Sequence, residues 1–227
     1  MLRVVRSSVV VAFAASACTN GAFDVPSFRG QANSDYAGWE RFQTAIGSNM
    51  PTEPGTTNTD ARVVQTVAPD FSTPPGLLLT GVGNIYSGFQ LLNLFITDAA
   101  AAPITDIVLQ VRTLGSELSY DSVAIEFFDT TGASQTVPAL ARQELFRESG
   151  APLFPGFPSE IVETKWTWDT TVFPADFTAY RIVLPHATAH ISVDRIELDT
   201  RTVPAPAGML LVTLALARGS NRRRDAR

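Results

Sequence analysis

The chain contains one cysteine and two histidines in 227 residues. The cysteine, Cys18, lies near the N-terminus, so the rest of the chain has no thiol for a disulfide or a metal site. Stability of the folded part must therefore come from packing alone. Several enzyme motifs are also missing: G-x-S-x-G, the Walker loop and H-E-x-x-H. The pair Gly81 and Gly83 does not complete a dinucleotide-binding pattern, because Tyr86 stands where the third glycine belongs. These absences argue against several classes of enzyme.

Acidic and basic residues are unevenly distributed along the sequence. Of 17 basic residues, Arg3, Arg6 and the five arginines from Arg218 to Arg227 lie at the two ends. Without these and Asp225, 10 basic and 21 acidic residues remain, which gives the central part a net charge of −11. A body this acidic argues against nucleic acid or anionic lipid as a partner. It is typical of a soluble domain in an extracellular or periplasmic space.

Residues 1–22 have the features of a secretory signal peptide. Two arginines precede a short apolar stretch, and small residues up to Ala17 and Ala22 offer two cleavage sites. The apolar stretch is too short to cross a bilayer core of about 30 Å. A lipoprotein signal with a lipidated Cys18 is the alternative, although the usual large aliphatic residue three positions earlier is missing. Ordinary export is favoured.

Residues 203–227 have the layout of a stop-transfer signal. A proline-rich motif comes first, then an uncharged apolar run to Ala217, then a basic tail. The prolines end the preceding strand, the apolar run enters the membrane as a helix, and the arginines stay on the cytoplasmic side. The 15 uncharged residues from Val203 to Ala217 fall short of the roughly 20 that a stable span needs. Transient membrane insertion is therefore predicted. The motif consists of Val203, Pro204, Ala205, Pro206 and Ala207, and the basic tail of Arg218, Arg222, Arg223, Arg224 and Arg227.

This order of parts resembles the PEP-CTERM family of sorting signals, and most of all the variants with a VP-x-PA motif. The resemblance implies a membrane transpeptidase of the exosortase type, which cleaves near the proline motif and passes the protein to the cell surface, outer membrane or extracellular matrix. Ala205 replaces the central glutamate of the family's Pro-Glu-Pro. A plain tail anchor is the alternative interpretation, and 15 residues is short for one.

Residues 23–202 between these ends are predicted to form one all-β domain. Short segments with alternating apolar residues recur between turns, and 15 glycines and 15 prolines are available for those turns. The pattern predicts an antiparallel β-sandwich of jelly-roll type. The predicted strands are Gly38–Ile46, Arg62–Val67, Leu77–Thr80, Phe89–Thr97, Ile104–Thr113, Ser122–Phe128, Glu160–Asp169, Ala179–Leu184 and Ala189–Asp199.

Two local features qualify this pattern. Pro138–Ser149 is predicted to be the one short helix, closed by Gly150. In the last strand, Ile191 and Val193 share one face but the later apolar residues share the other. Either both faces are buried or a β-bulge at Asp194-Arg195 resets the register. That closing strand weakly resembles the one in galactose-binding-like jelly rolls, which implies a carbohydrate-binding fold.

Trp166 and Trp168 are the candidate glycan-binding residues. Two apart on a strand, they point the same way, and sugars stack on paired aromatic faces. The interpretation favoured for them is burial in the core, because tryptophan is mostly buried in folded proteins. Trp39 alone indicates little. If the two rings are exposed instead, the partner expected for them is an extracellular polysaccharide.

Metal sites are weakly indicated. His186 and His190 could share a strand face, but zinc needs at least one more ligand. Acidic residues near the first and last strands could hold a structural calcium ion if those strands pair, since calcium prefers oxygen ligands. These are Asp35, Glu40, Asp194 and Asp199. No other cofactor is predicted.

Two hypotheses follow. The first is a non-enzymatic protein that is exported, processed at its C-terminus and used in adhesion, matrix structure or glycan binding. The second is a small extracellular carbohydrate-active enzyme on a jelly-roll scaffold, with paired carboxylates that sequence spacing cannot reveal. An open groove with two facing carboxylates and exposed tryptophans would favour the second.

Overall fold

The computed structural model describes residues 23–66, 77–88, 92–99, 103–149, 160–185 and 190–203. Within these ranges the chain forms thirteen β-strands and two 3₁₀ turns, at Tyr120–Ser122 and Thr170–Val172. The predicted signal peptide and all of the C-terminal segment after Val203 lie outside them. The strands are β1 Ser34–Trp39, β2 Gly47–Asn49, β3 Arg62–Gln65, β4 Leu77–Leu79, β5 Ile85–Ser87, β6 Asn93–Asp98, β7 Ile104–Gly115, β8 Ala124–Phe128, β9 Ser134–Pro138, β10 Ala141–Ser149, β11 Glu160–Thr167, β12 Ala179–Pro185 and β13 Ile191–Thr202.

The strands form two antiparallel sheets, which confirms the predicted all-β, sandwich-like fold. Sheet A has the order β10-β11-β7-β13-β5-β4, and β1 pairs with the second half of β13 beside β5. Sheet B has the order β2-β3-β6-β12-β8-β9. The longest contact between strands joins β7 to β13, whose register runs from Ile104↔Thr202 to Gly115↔Ile191. The two long strands form the centre of sheet A.

The hydrophobic core lies between the sheets and follows the period of two that the sequence shows. In β6, β8 and β12, buried and half-buried residues alternate without interruption. Each of these strands therefore has one face in the core and one towards solvent. Sheet A contributes larger side chains, including Trp39 and Trp166, which are fully buried. One cluster of buried apolar residues contains members of both sheets.

Strand β13 contains the bulge that its sequence suggested. Its register with β7 shifts between Val193 and Arg195, so Asp194 is the extra residue. The shift returns Ile196 and Leu198 to the core face that Ile191 and Val193 occupy, and all four are buried. The bulge accounts for this change of phase, and both faces of β13 are also buried from Ile196 to Thr200, so both alternatives left open by the sequence hold.

The predicted helix at Pro138–Ser149 is wrong. Residues 141–149 form strand β10, which pairs with β11 along its whole length at the edge of sheet A. A register shift between Glu144 and Phe146 marks a bulge there. The segment has good helix formers, but cross-strand pairing with β11 overrides that local preference. Gly150, the expected helix cap, lies outside the described residues.

The segment that precedes β1 covers part of the outer face of sheet A. Phe23 and Phe28 of this segment are buried. The backbone N–H of Asp24 donates to Gln110 Oε1 at 2.8 Å, and Gln110 Nε2 donates to the Asp24 carbonyl at 2.9 Å. Gln110 is itself fully buried on the outer face of β7. The N-terminal segment therefore provides a third layer over part of the sheet.

Charged side chains meet beneath and within this layer, where the carboxylates are buried and the arginines are half-buried. Arg29 donates to Asp199 at 2.5 Å and to Glu197, and Arg195 forms ion pairs with Glu197 and Glu53. The Arg29 guanidinium also lies 3.9 Å from the centre of the Tyr36 ring, and the Tyr36 hydroxyl donates to Glu53. We call Arg29, Glu53, Arg195, Glu197 and Asp199 the buried charge cluster. Three carboxylates face two arginines in it, so charge is largely compensated.

Candidate functional site

A cavity of about 280 Å³ opens at one end of the sandwich, between the two sheets. Sheet A contributes the start of β1 and the end of β13, and sheet B contributes the end of β6 and the start of β12. The loop before β3 forms the remaining wall. We call it the end cavity. Its lining residues are Asp35, Thr57, Asn58, Thr59, Asp60, Asp98, Ala99, Ile104, Tyr180, Thr200 and Thr202.

Asp98 anchors this site from sheet B. Its Oδ2 accepts hydrogen bonds from Tyr180 Oη and from Asn58 Nδ2, both at 2.9 Å. Asp98 is the last residue of β6 and Tyr180 belongs to the neighbouring β12, paired with it in register. Burial raises the pKa of the Asp98 carboxyl, and the two donors oppose that rise. Burial and the nearby Asp98 charge raise the pKa of Tyr180 well above its ordinary value, so it remains a hydrogen-bond donor.

Three other polar groups in the end cavity have no partner among the described residues. Asp35 and Asp60 are exposed, and neither carboxylate forms an ion pair or a side-chain hydrogen bond there. Thr200 is only 5% exposed, lines the cavity and makes no side-chain hydrogen bond in the described structure. Among the described residues, the lining contains no arginine, lysine or histidine. The site is therefore anionic and rich in hydroxyl groups, without an internal cation.

The tryptophans singled out from the sequence lie elsewhere, in the core. Trp166 and Trp168 are 0% and 6% exposed, and Trp39 is 0% exposed. Trp166 Nε1 donates to the Tyr120 carbonyl at 3.1 Å. Trp39 Nε1 similarly donates to the Asn49 carbonyl at 3.1 Å. These positions follow the interpretation favoured for them, and neither Trp166 nor Trp168 presents an open ring face to a sugar.

The acidic residues considered for calcium are not brought together. Strands β1 and β13 do pair, but Asp35 lies opposite Thr200 on the cavity side. Asp199 lies on the other face of β13, within the buried charge cluster. Asp194, at the bulge, lies 3.5 Å from Arg112, and Glu40 is exposed. In the described part of the chain, no group of three or more acidic, histidine or cysteine side chains is arranged to hold a metal ion.

Of the two histidines, only His190 lies within the described residues. It has a positive φ of 64° and starts the turn into β13. Its Nδ1 lies 3.4 Å from Tyr86 Oη. Gly115 packs against this turn so closely that a Cβ there would lie 2.4 Å from the His190 carbonyl oxygen, which accounts for the glycine. The role of His190 here is in the backbone turn, and His186 lies outside the described ranges.

Of the predicted sorting motif, only Val203 lies within the described residues. It follows β13 directly, is 43% exposed, and its N–H donates to the Pro103 carbonyl at 3.0 Å. The described ranges contain no helix both long and apolar enough to cross a membrane. Residues 204–227, including the basic tail, are outside them.

Sequence reasoning missed most of the end cavity. Asp35 was named as a candidate calcium ligand, but Asn58, Asp98, Tyr180 and Thr200 carried no local signal. The one available hint is positional: Asp98 ends an alternating strand and Tyr180 lies at the start of another. No protein-family model matches the chain, and no curated protein matches it significantly.

Proposed function

We propose that this protein is exported and sorted to the cell surface, outer membrane or extracellular matrix through its C-terminal segment, where an exosortase-type transpeptidase processes it. Its domain, a β-sandwich of jelly-roll type, acts there without catalysis in adhesion, matrix structure or glycan binding. The observation that carries the proposal is the order of the last 25 residues: proline motif, short apolar run, arginine tail.

The position of this segment relative to the fold supports the proposal. β13 ends at Thr202, and the motif starts at the next residue. Val203 is already exposed, so a membrane enzyme could reach the peptide bonds after it without unfolding β13. An apolar run placed inside the strand would have required the sheet to open before cleavage.

Mass spectrometry of the protein purified from its native host tests the proposal. We expect a mature chain that begins near residue 18 or 23 and ends near the proline motif. An intact chain that still carries Arg227 and fractionates with the cytosol would contradict both export and sorting.

Variants in the basic tail test the role of charge. Replacing Arg222, Arg223 and Arg224 with glutamine removes the charges that resist translocation. We expect a protein that passes through the membrane uncleaved and appears in the medium with its apolar run. Arg41→Gln is the control, since Arg41 is exposed in the folded domain and its side chain forms no ion pair there. Normal cleavage of the tail variant would contradict the stop-transfer role.

The alternative is a carbohydrate-active enzyme. It would be favoured by exposed tryptophans along an open groove, but all three tryptophans are buried. The end cavity does bring carboxylates together, and this is the observation that keeps the alternative testable. Release of reducing sugar from polysaccharide by the purified protein, abolished by Asp98→Asn, would replace the non-enzymatic proposal.

A further inference from the structure

We propose that the end cavity binds an amino sugar, with the protonated amine of the sugar at Asp35 and Asp60 and its hydroxyl groups on the threonines and amide of the lining. This inference deepens the proposed function, because it assigns a ligand class to the glycan-binding role, and it rests on that function for its setting.

The charge of the end cavity selects a cation. Three carboxylates line it, and none of the described lining residues is basic. The Asp98 carboxylate already accepts two hydrogen bonds from the protein, whereas those of Asp35 and Asp60 accept none from described side chains. An ammonium group donates three hydrogen bonds and forms stronger ones with carboxylates than a neutral donor does. These two carboxylates therefore form the part of the site that binds the cation.

Thr200 provides an independent indication of a ligand. Its side chain is almost completely buried, lines the cavity and has no hydrogen-bond partner among the described residues. The hydroxyl is not among the described side-chain groups that lack both a partner and contact with solvent, so it is open to the cavity, where a ligand hydroxyl can bond to it. Thr57, Thr59 and Asn58 add further polar groups around the same space. A ligand with several hydroxyl groups fits this lining.

These features together distinguish an amino sugar from other cations. A lysine side chain would bring an ammonium group on an apolar stem, but the described lining offers little apolar surface, from Ala99, Ile104 and the ring of Tyr180. A metal ion would need carboxylates in coordination geometry, and the described residues contain no such group of three. The volume, about 280 Å³, is at the lower limit of typical ligand pockets and suits a single sugar unit.

Calorimetry with sugar oligomers tests this inference on protein purified from the native host. The probes are a glucosamine tetramer and its fully N-acetylated counterpart, which has the same hydroxyl groups but no charge. We expect the N-acetylated tetramer to bind about tenfold more weakly, because the ionic hydrogen bonds are lost. Equal affinities for the two probes would overturn the assignment.

Substitutions in the lining test whether the sugar binds in the end cavity. Asp35→Asn with Asp60→Asn should weaken glucosamine binding about tenfold, and Thr200→Val about fivefold, because one buried hydroxyl contact is lost. Asp176→Asn, an exposed charge change outside the cavity lining, is the control and should bind normally. Urea denaturation of each variant checks that the fold persists. Unchanged binding in the double variant would overturn the site.

Two further probes identify a different occupant. Tighter binding of tetralysine than of the glucosamine tetramer would assign the cavity to a protein partner, and calcium chloride binding with loss in the double variant would assign it to a metal. Either result overturns the amino-sugar proposal, as does failure of every probe to bind. These binding results do not depend on where the two ends of the chain are cleaved. Mass spectrometry of the mature chain therefore tests sorting separately.

Discussion

The two faces of the β1–β13 strand pair adjoin carboxylates in very different surroundings. Asp199, on the covered face, is paired with Arg29 within the buried charge cluster. Thr200, the next residue, faces the end cavity, where Asp35 and Asp60 have no basic partner. Carboxylates on the first face are compensated within the chain and hold the N-terminal segment in place. Those on the second face leave negative charge available to a molecule from outside. The same type of side chain is thus structural on one side of the β1–β13 pair and available for binding near the other.

The largest effect on stability is expected from removing an arginine of the buried charge cluster, where the carboxylates are compensated. Arg29→Ala leaves Asp199 buried without its partner and Glu197 with only Arg195. Uncompensated buried charge is strongly destabilising, so we expect the free energy of unfolding to fall by about 3 kcal/mol, measured by urea denaturation. Arg41→Ala serves as the matched control and should change it by less than about 0.5 kcal/mol. Similar small losses in both variants would show that the cluster does not hold the segment.

The second prediction concerns how the free energy of unfolding changes with pH through the carboxyl groups of the buried charge cluster. Burial raises the pKa of Asp199 and of Glu53, while the neighbouring arginines, Arg29 for Asp199 and Arg195 for Glu53, oppose the rise; Glu197 adds negative charge nearby. A carboxyl whose pKa is higher in the folded than in the unfolded state contributes stability at low pH and loses it as pH rises through the folded pKa.

Asp199→Asn removes one such group. We therefore expect the difference in unfolding free energy between the unmodified protein and Asp199→Asn to grow in favour of the unmodified protein as pH falls from 7 towards 4. The control is Asp169→Asn. Its carboxylate accepts hydrogen bonds from Thr171, which lower its pKa, so the corresponding difference should shrink over the same range. Parallel behaviour of the two variants would contradict the assigned effect of burial.

A smaller effect is expected where Asp98 joins the two strands of sheet B. Tyr180→Phe removes one of the two side-chain hydrogen bonds to Asp98 and should cost about 1–2 kcal/mol of unfolding free energy. It should also raise the pKa of Asp98, because a donor to the charged form is lost. Asp98-specific titration by NMR measures the second effect. An unchanged or lowered pKa would mean that the hydroxyl does not stabilise the carboxylate.

The smallest effect on stability is expected from the carboxylates of the end cavity that have no partner among the described residues. Asp35→Asn and Asp60→Asn, singly, should change the unfolding free energy by less than about 0.5 kcal/mol, because both carboxylates are exposed and unpaired. Thermal and urea denaturation measure this. A loss comparable with that of Arg29→Ala would assign these residues to the structure, and the contrast between the two faces of the β1–β13 pair would disappear.

The sequence predicted those features of the fold that depend on residue alternation. The all-β class follows from it. Ile191 and Val193 are out of phase with Ile196 and Leu198, which made the bulge in β13 one of the two alternatives that the sequence left open. The helix predicted at Pro138–Ser149 failed because helix propensity is local, whereas β10 exists through its pairing with β11.

The candidate site could not be predicted in the same way. Asp35, Asn58, Asp98, Tyr180 and Thr200 come from five separate stretches of chain, and each stretch is ordinary by itself. Only the pairing of β1 with β13, and of β6 with β12, brings them to one end of the sandwich. The proximity of these residues depends on the topology of the sheets and not on their spacing in the sequence. No local sequence pattern therefore predicts it.

The N-terminal layer over sheet A has a consequence for how the chain matures. Arg29 is held by residues 168 and 170 positions further along the sequence, and Asp24 by a residue 86 positions further. Contacts between such distant parts form late in folding, because loop closure must come first. A nascent chain that has not yet made β13 cannot close this layer. The N-terminal layer is therefore completed only after nearly the whole domain, up to β13, has been synthesised.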